Sequence, residues 1–296
     1  MTTRSDWLAE RKTGIGSSDA AAVLGLSRYK SALAVWLDKV GQAQPEAMND
    51  AMRWGLWLEP ALATAYTERT GLAAVVPPRA LYRHPDRFWQ IASPDRLAEG
   101  RIVELKTAGH RQANEWGDEG TDEIPEPYLI QVQHQMSVLD LPRADVAVLI
   151  GGQDFRVYSV ARSEPLIERL TEIEGDFWEH VLRREAPPAD WTHPATPQLI
   201  ESMYQPNDGK TVMLPPEAEK LVELYEFYAD QARDGDTAKK QVRAELVALL
   251  GDASLGLLND GRRVKRKVTE RKGYTVEPST YVDFRILQPK LIKERV

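Results

Sequence analysis

Residues 93–107, SPDRLAEGRIVELKT, place Asp95, Glu104 and Lys106 within one short stretch that reads as two strands joined by a turn. Side chains alternate along a strand, so Glu104 and Lys106 project to one face while Val103 and Leu105 project to the other. Hairpin pairing sets Asp95, at the end of the preceding strand, beside Glu104. Two adjacent carboxylates repel unless a proton or a cation joins them. Oxygen ligands of this kind suit a hard divalent cation, Mg²⁺ or Mn²⁺. A lysine two positions on reaches the same pocket, where it can orient water and stabilise charge developing on a phosphate. The chemistry this combination serves is metal-assisted phosphodiester hydrolysis. A solvent-facing charged hairpin carries the same spacing, so the surrounding elements have to decide between the two.

Those elements alternate between helical and strand patterns. WLAERK, preceded by Ser5 and Asp6 as N-caps, and SALAVWLDKVG, ended by Gly41, read as helices. GIGSSD between them reads as a tight turn opening onto the small-residue helix AAAVLG. In AMRWGLWLEPALATAYTERTG, residues Trp54, Trp57, Leu58, Leu62 and Tyr66 recur at helical spacing and are expected to face the core. LAAVVPP, ALYRHP, RFWQIASPD and RIVELKT are short, β-rich and bounded by Pro, Gly and Asp, which predicts strands. Residues 125–141 read as an amphipathic helix starting after Pro127, 144–162 as a hairpin turning at GGQD, and 163–185 as a helix capped by Ser163. Gln131 and Gln133 lie on different faces of their helix, so one can face the carboxylates and the other is structural.

APPADWTHPATPQ reads as a linker because of its prolines. A long charged helix or helix pair follows, then strands around an NDG turn. The fold class expected is α/β or α+β, a central mixed sheet flanked by helices, with a helical and β-hairpin extension at the C-terminus. The expected organisation is a core over 1–190, a linker over 191–214 and an extension over 215–296 serving oligomer, DNA or partner contacts.

The 296 residues are 42% hydrophobic and 28% charged, within the globular range. A net charge of -7 speaks against nucleic-acid binding in bulk. Catalytic carboxylates contribute to that charge, however, and a basic groove can sit on an acidic protein. Basic clusters are present at RRVKRKVTERK (262–272) and at Arg4, Arg11 and Lys12. The first of these contacts DNA phosphates or a partner, or keeps a strand edge soluble. The absence of cysteine excludes disulfides, thiolate zinc sites, iron–sulfur clusters and cysteine nucleophiles, and is compatible with a reducing cytoplasm. No apolar run approaches membrane-spanning length and no secretory leader is visible, so a soluble protein with no membrane contact is expected. His110 and His134 are isolated, as surface or core histidines usually are. Trp7 and Trp116 lie in loop-side positions from which they could stack on a base.

Five motifs in order resemble the PD-(D/E)xK nuclease superfamily, and within it the lambda exonuclease and YqaJ-type viral recombinase nucleases. They are Arg11 with GIGSSDAAAVLG, then GLWLEP, SPDRL, VELKT and PYLIQVQHQM, spanning roughly residues 5–185. The resemblance implies a restriction-endonuclease-like core. It implies Asp95 and Glu104 as metal ligands, with the Leu105 carbonyl and Glu59 completing the set around Mg²⁺ or Mn²⁺. Lys106 would attend the nucleophilic water, and Gln131 would orient water or phosphate. Arg11 and Ser18, with Ser93 beside them, match positions that hold a 5′-terminal phosphate. Glu59 also serves as an ordinary helix charge, and Ser18 with Asp19 as a helix cap.

The activity implied is a 5′→3′ double-strand DNA exonuclease that resects ends for a single-strand annealing protein. It would be phage- or prophage-encoded, act in the bacterial cytoplasm, and form a homotrimeric ring around double-stranded DNA. A RecB-like endonuclease and a non-catalytic nuclease-fold DNA-binding module are the alternatives.

Overall fold

The structure, a computed structural model, describes residues 4–43, 48–204, 211–260 and 262–267. At its centre four strands pair in the order β4 (Arg96–Ala98), β5 (Arg101–Ala108), β6 (Arg143–Ile150), β7 (Asp154–Ala161). β4 and β5 form the expected hairpin; Gly100, at φ 65, makes the turn that a residue with a Cβ adopts poorly. β5 and β6 run parallel, so the chain must cross over between them, and it does so through the helix α5 (Glu126–Leu139). β6 and β7 are antiparallel.

The alternation in IVELK decides what covers each face. Ile102 packs with Val132 and Met136 of α5 and with Val146, Val148 and Tyr158. Val103 and Leu105 pack on the opposite side with Leu62 and Tyr66 of α4 (Asp50–Thr70) and with Ala147. Glu104 and Lys106 therefore rise on the α5 side.

One polar cluster lies within this core. The Tyr66 hydroxyl donates to Asp145 Oδ2 at 2.7 Å, and Arg101 and Ser159 donate to the same carboxylate. Burial and the neighbouring Asp145 charge push the Tyr66 phenol well above its ordinary range, so it stays a donor. Tyr66→Phe removes one donor from a buried carboxylate and is expected to cost about 1–3 kcal/mol in urea denaturation. No loss would show that Arg101 and Ser159 suffice.

A second sheet orders β1 (Ile15–Gly16), β3 (Gln90–Ala92), β2 (Tyr82–Arg83), with β1 parallel to β3. β1 lies within GIGSSD, where the sequence shows only a turn; two residues carry no period. LAAVVPP does not form a strand, and only Val75 bridges, to Leu97. Its two prolines have no N–H to offer a ladder.

α1 (Arg4–Arg11) precedes this sheet, and α2 (Ser17–Val23), α3 (Ala32–Lys39) and α6 (Glu164–Arg183) share a core cluster with Ile15 of β1. The alanines of α2 let it approach α5 and α6 closely, with Ala20, Ala21, Ile130 and Leu170 in one buried cluster. The proline-rich stretch expected to be a linker instead packs on this unit. His193 Nε2 bonds the Ser27 carbonyl oxygen at 2.9 Å, and Leu199, Ile200 and Met203 of α7 (Thr196–Met203) lie against the cluster of Trp36, Phe177 and Trp178. The first compact unit accordingly runs through Tyr204.

Two expectations about tryptophan are corrected. Trp54 and Trp57 are 56% and 64% exposed, because the buried side chains of α4 begin only at Leu62. Trp116 is not a base-stacking residue; it is buried between Tyr128 and Tyr158, with ring centroids 5.5 and 5.4 Å away.

Among its described residues the second unit holds one long helix, α8 (Glu217–Leu250), and a hairpin of β8 (Leu255–Leu257) with β9 (Arg263–Lys265). The strands expected beyond residue 267, positions 268–272 of the basic run and positions 205–210 of the expected linker lie outside the described residues.

Candidate active site

Asp95 lies in the bend between β3 and β4. Arg96 pairs with Val103 across the hairpin and shares its face, so Asp95, one residue earlier, turns toward the face of Glu104. Its Oδ2 accepts the Leu105 amide at 2.8 Å, which ties it to β5. Glu104 is 3% exposed, and both its oxygens are engaged. Oε1 accepts Lys106 Nζ at 2.6 Å and Gln131 Nε2 at 2.5 Å; Oε2 accepts Gln135 Nε2 at 2.8 Å. The Lys106 ammonium also sits 5.0 Å from the centre of the Tyr128 ring.

The electrostatics follow from this crowding. Burial and the Glu104 charge push the Asp95 carboxyl up to about 7, against the opposing pull of Lys106 and the Leu105 amide. Burial alone would lower Lys106; Glu104 and Asp95 outweigh it and hold the ammonium above its usual range. Beside the Glu104 charge, Asp95 thus holds its proton more tightly than a free carboxyl does, facing a lysine that stays protonated.

Glu59 is placed differently. α4 covers the Val103–Leu105 face, so Glu59 meets buried Arg96, whose guanidinium donates to both Glu59 Oε1 and the Asp95 carbonyl oxygen. Among the described residues no three His, Cys, Asp or Glu side chains gather closely enough to hold a metal ion. The donor chemistry nonetheless suits one. Asp95 and Glu104 supply hard oxygens, and the elevated Asp95 carboxyl marks a site short of a cation. Asp95 and Glu104 are the residues that could hold the ion; Glu59, paired with Arg96, does not gather with them into a group of three.

The N-terminal motif reaches the same pocket. The Arg11 guanidinium donates to Ser18 Oγ at 2.9 Å and lies 4.8 Å over the Trp7 ring. Trp7 Nε1 donates to Ser93 Oγ at 3.4 Å, two residues before Asp95. Gln135, besides bonding Glu104, donates to Ser17 Oγ at 3.4 Å. Behind Arg11, buried Asp19 accepts Lys39 at 2.7 Å and Lys30 at 3.0 Å. Burial alone would raise Asp19, but Lys39, Lys30 and Arg11 outweigh it and hold its carboxyl well below the usual range.

α5 thus serves both sites with an i, i+4 pair, Gln131 and Gln135. The sequence singled out the first and missed the second, although the spacing was there to be seen. Gln133, on another face, bonds the Ala161 carbonyl and the Ser163 amide. Arg96 was also missed; nothing in SPDRL says which charged side chain leaves the pocket. The histidines stand apart from it. His110 is exposed, and His134 is buried between Glu174 Oε1 at 2.7 Å and the Ile91 carbonyl oxygen at 3.0 Å.

Among the described residues no helix is long and apolar enough to cross a membrane. The profile of the YqaJ-like viral recombinase domain matches residues 6–142. The uncharacterized protein YqaJ of Bacillus subtilis (strain 168) is 33% identical over 264 residues, spanning 87% of this chain and 82% of that protein. Among solved structures, LHK-Exo in complex with dAMP matches with a TM-score of 0.50 and 21% identity, over 61% of this chain and 94% of that one. A second LHK-Exo structure, described as an alkaline exonuclease from Laribacter hongkongensis, gives 0.49 and 20% over the same shares. At 21% identity the likeness to the first of these is one of fold.

Proposed function

Because the chain belongs to the YqaJ-like viral recombinase family, we propose that it is a divalent-metal-dependent nuclease that degrades double-stranded DNA from its ends, in the 5′→3′ direction. The observation that carries this reading is Gln135, which bonds Glu104 at 2.8 Å and Ser17 at 3.4 Å and so joins the carboxylate pocket to the Arg11–Ser18 pair.

In this reading Arg11 and Ser18 hold a 5′-terminal phosphate, the guanidinium by charge and the hydroxyl by hydrogen bond. Trp7, its ring centre 4.8 Å from the guanidinium carbon, helps hold Arg11 in place. The end so anchored sets the first phosphodiester over Asp95 and Glu104. Mg²⁺ or Mn²⁺, when bound there, would neutralise phosphate charge and acidify water. Lys106, kept protonated by Glu104, steadies the attacking water and the charge that grows on the phosphate oxygens. Gln131 and Gln135 hold the Glu104 carboxylate in one orientation, and the Leu105 amide does the same for Asp95. The single strand left behind, ending in a 3′-hydroxyl, is the substrate of an annealing protein.

Arg11→Ala tests the anchor. Wild-type protein is expected to degrade 5′-phosphorylated duplex faster than 5′-hydroxyl duplex. The variant is expected to lose that preference, through a slower rate on phosphorylated ends by roughly tenfold or more. A preference that survives the substitution would remove Arg11 from the pocket.

A further inference from the structure

α8 is 34 residues long and contains no buried residue. It nonetheless carries Leu221, Tyr228, Val242, Leu246 and Leu249 among its exposed side chains. A helix with this much exposed apolar surface needs a partner to be stable. The spacing says what shape that partner has. Ala218, Ala232, Lys239 and Leu246 fall at one position of a heptad, and Leu221, Tyr228, Gly235, Val242 and Leu249 at another three residues on. That is the spacing a two-helix seam requires.

The seam is also symmetric on reversal. Turned end for end about the point between Arg233 and Asp234, Ala218 meets Leu249, Leu221 meets Leu246, Tyr228 meets Lys239, and Ala232 meets Gly235. Leu221 packs on Leu246 one turn in from each end. The smallest meet at the centre, where two backbones must come closest. The one charged seam residue, Lys239, falls opposite an aromatic ring, a favourable site for an ammonium.

Charge selects the same orientation. Residues 217–230 hold five acids and one lysine, whereas residues 231–250 hold four basic and three acidic side chains. A parallel pair would lay the strongly acidic half against itself. An antiparallel pair lays it against Lys239, Lys240 and Arg243. The matched length gives a seam of about 50 Å.

We propose that α8 pairs antiparallel with α8 of a second copy of this chain. The pairing is independent of the nuclease reading: it links two copies whether or not they cleave DNA.

The chain has no cysteine, so introduced thiols report on geometry directly. Full-length L221C/L246C is expected to oxidise to a covalent dimer on a non-reducing gel, whereas L221C and L246C alone are not. The two copies of either position lie on the order of 35 Å apart in an antiparallel pair. Full-length L221E/L246E is expected to show half the wild-type mass by light scattering, with its helical circular dichroism retained. Rapid cross-linking of either single variant would mean parallel strands and overturn the proposal. It would equally be overturned if the double cysteine variant stayed uncrosslinked or if the glutamate variant kept the wild-type mass. Either result would show that the apolar face is covered by the chain's own residues or by another protein.

Discussion

Asp95→Asn is expected to lower DNA cleavage by at least about a hundredfold and, in the absence of metal, to raise thermal stability. The two effects have one cause. Asp95 faces Glu104 in a pocket where burial and like charge lift its carboxyl from 3.8 to about 7. A folded-state value above the unfolded one means that the folded protein binds this proton more tightly. Stability therefore falls as pH rises from about 4 to about 7, and the penalty is fully present above that. Asparagine carries no charge and removes the penalty, so the variant should melt higher than wild type at pH 8, with the gap closing as pH falls toward 4. A divalent cation should raise the wild-type melting temperature and leave the variant nearly unmoved, because binding to the native state alone is what stabilises. Nucleotide release and melting curves with and without Mg²⁺ read all three. A variant that cleaves at the wild-type rate would sink the assignment. One that is inactive but also less stable would show that Asp95 supports the fold rather than the chemistry.

The second large effect is on stability. Glu174→Ala is expected to cost about 3–5 kcal/mol, because it strips one partner from a fully buried ion pair. Glu174 accepts His134 Nδ1 at 2.7 Å and Gln90 Nε2 at 2.6 Å, and the other ring nitrogen of His134 meets the Ile91 carbonyl oxygen. Burial alone would lower His134; the Glu174 charge and hydrogen bond, with the Ile91 contact, outweigh it and raise the imidazole above 6.5. For a base whose folded value is raised, the stabilisation is complete below the unfolded value near 6.5 and is lost as pH climbs through the folded one. Wild type should therefore lose stability between about pH 6.5 and the folded value, and Glu174→Ala should lack that component. Urea denaturation across this range measures both; a loss under about 1 kcal/mol would mean that water or a neighbour replaces the carboxylate.

Which strand residues share a face was readable from the sequence. The alternation in VELK assigned Glu104 and Lys106 to one face and Val103 and Leu105 to the other, and the fold keeps that division, with α5 over the first and α4 over the second. What periodicity could not supply was coverage. The apolar stripe on α4 is real, but its first turns extend past the sheet, so Trp54 and Trp57 face water. Proline suggested a linker at 186–198, yet proline sets backbone angles and not packing, and His193 with the apolar side of α7 holds that segment down. Glu59 shows the same gap at closer range. Its type and place in the motif order were readable, but its meeting with Arg96 depends on which face α4 covers and on the parity of β4. Gln135 differs: it lies one helical turn beyond Gln131 on the same face, so its place was readable from spacing, while its bonds to Glu104 and Ser17 depend on how α2 and β5 meet α5.

The most direct test of the whole account compares a linear duplex bearing 5′-phosphates with the same DNA as a covalently closed circle, each incubated with the full-length protein and Mg²⁺. A label at the 5′ end of the linear substrate reports polarity. The linear DNA is expected to be degraded with early release of the 5′ label, and the circle to stay intact. Cutting of the circle as fast as the linear DNA would contradict that expectation, as would release of the 3′ end first.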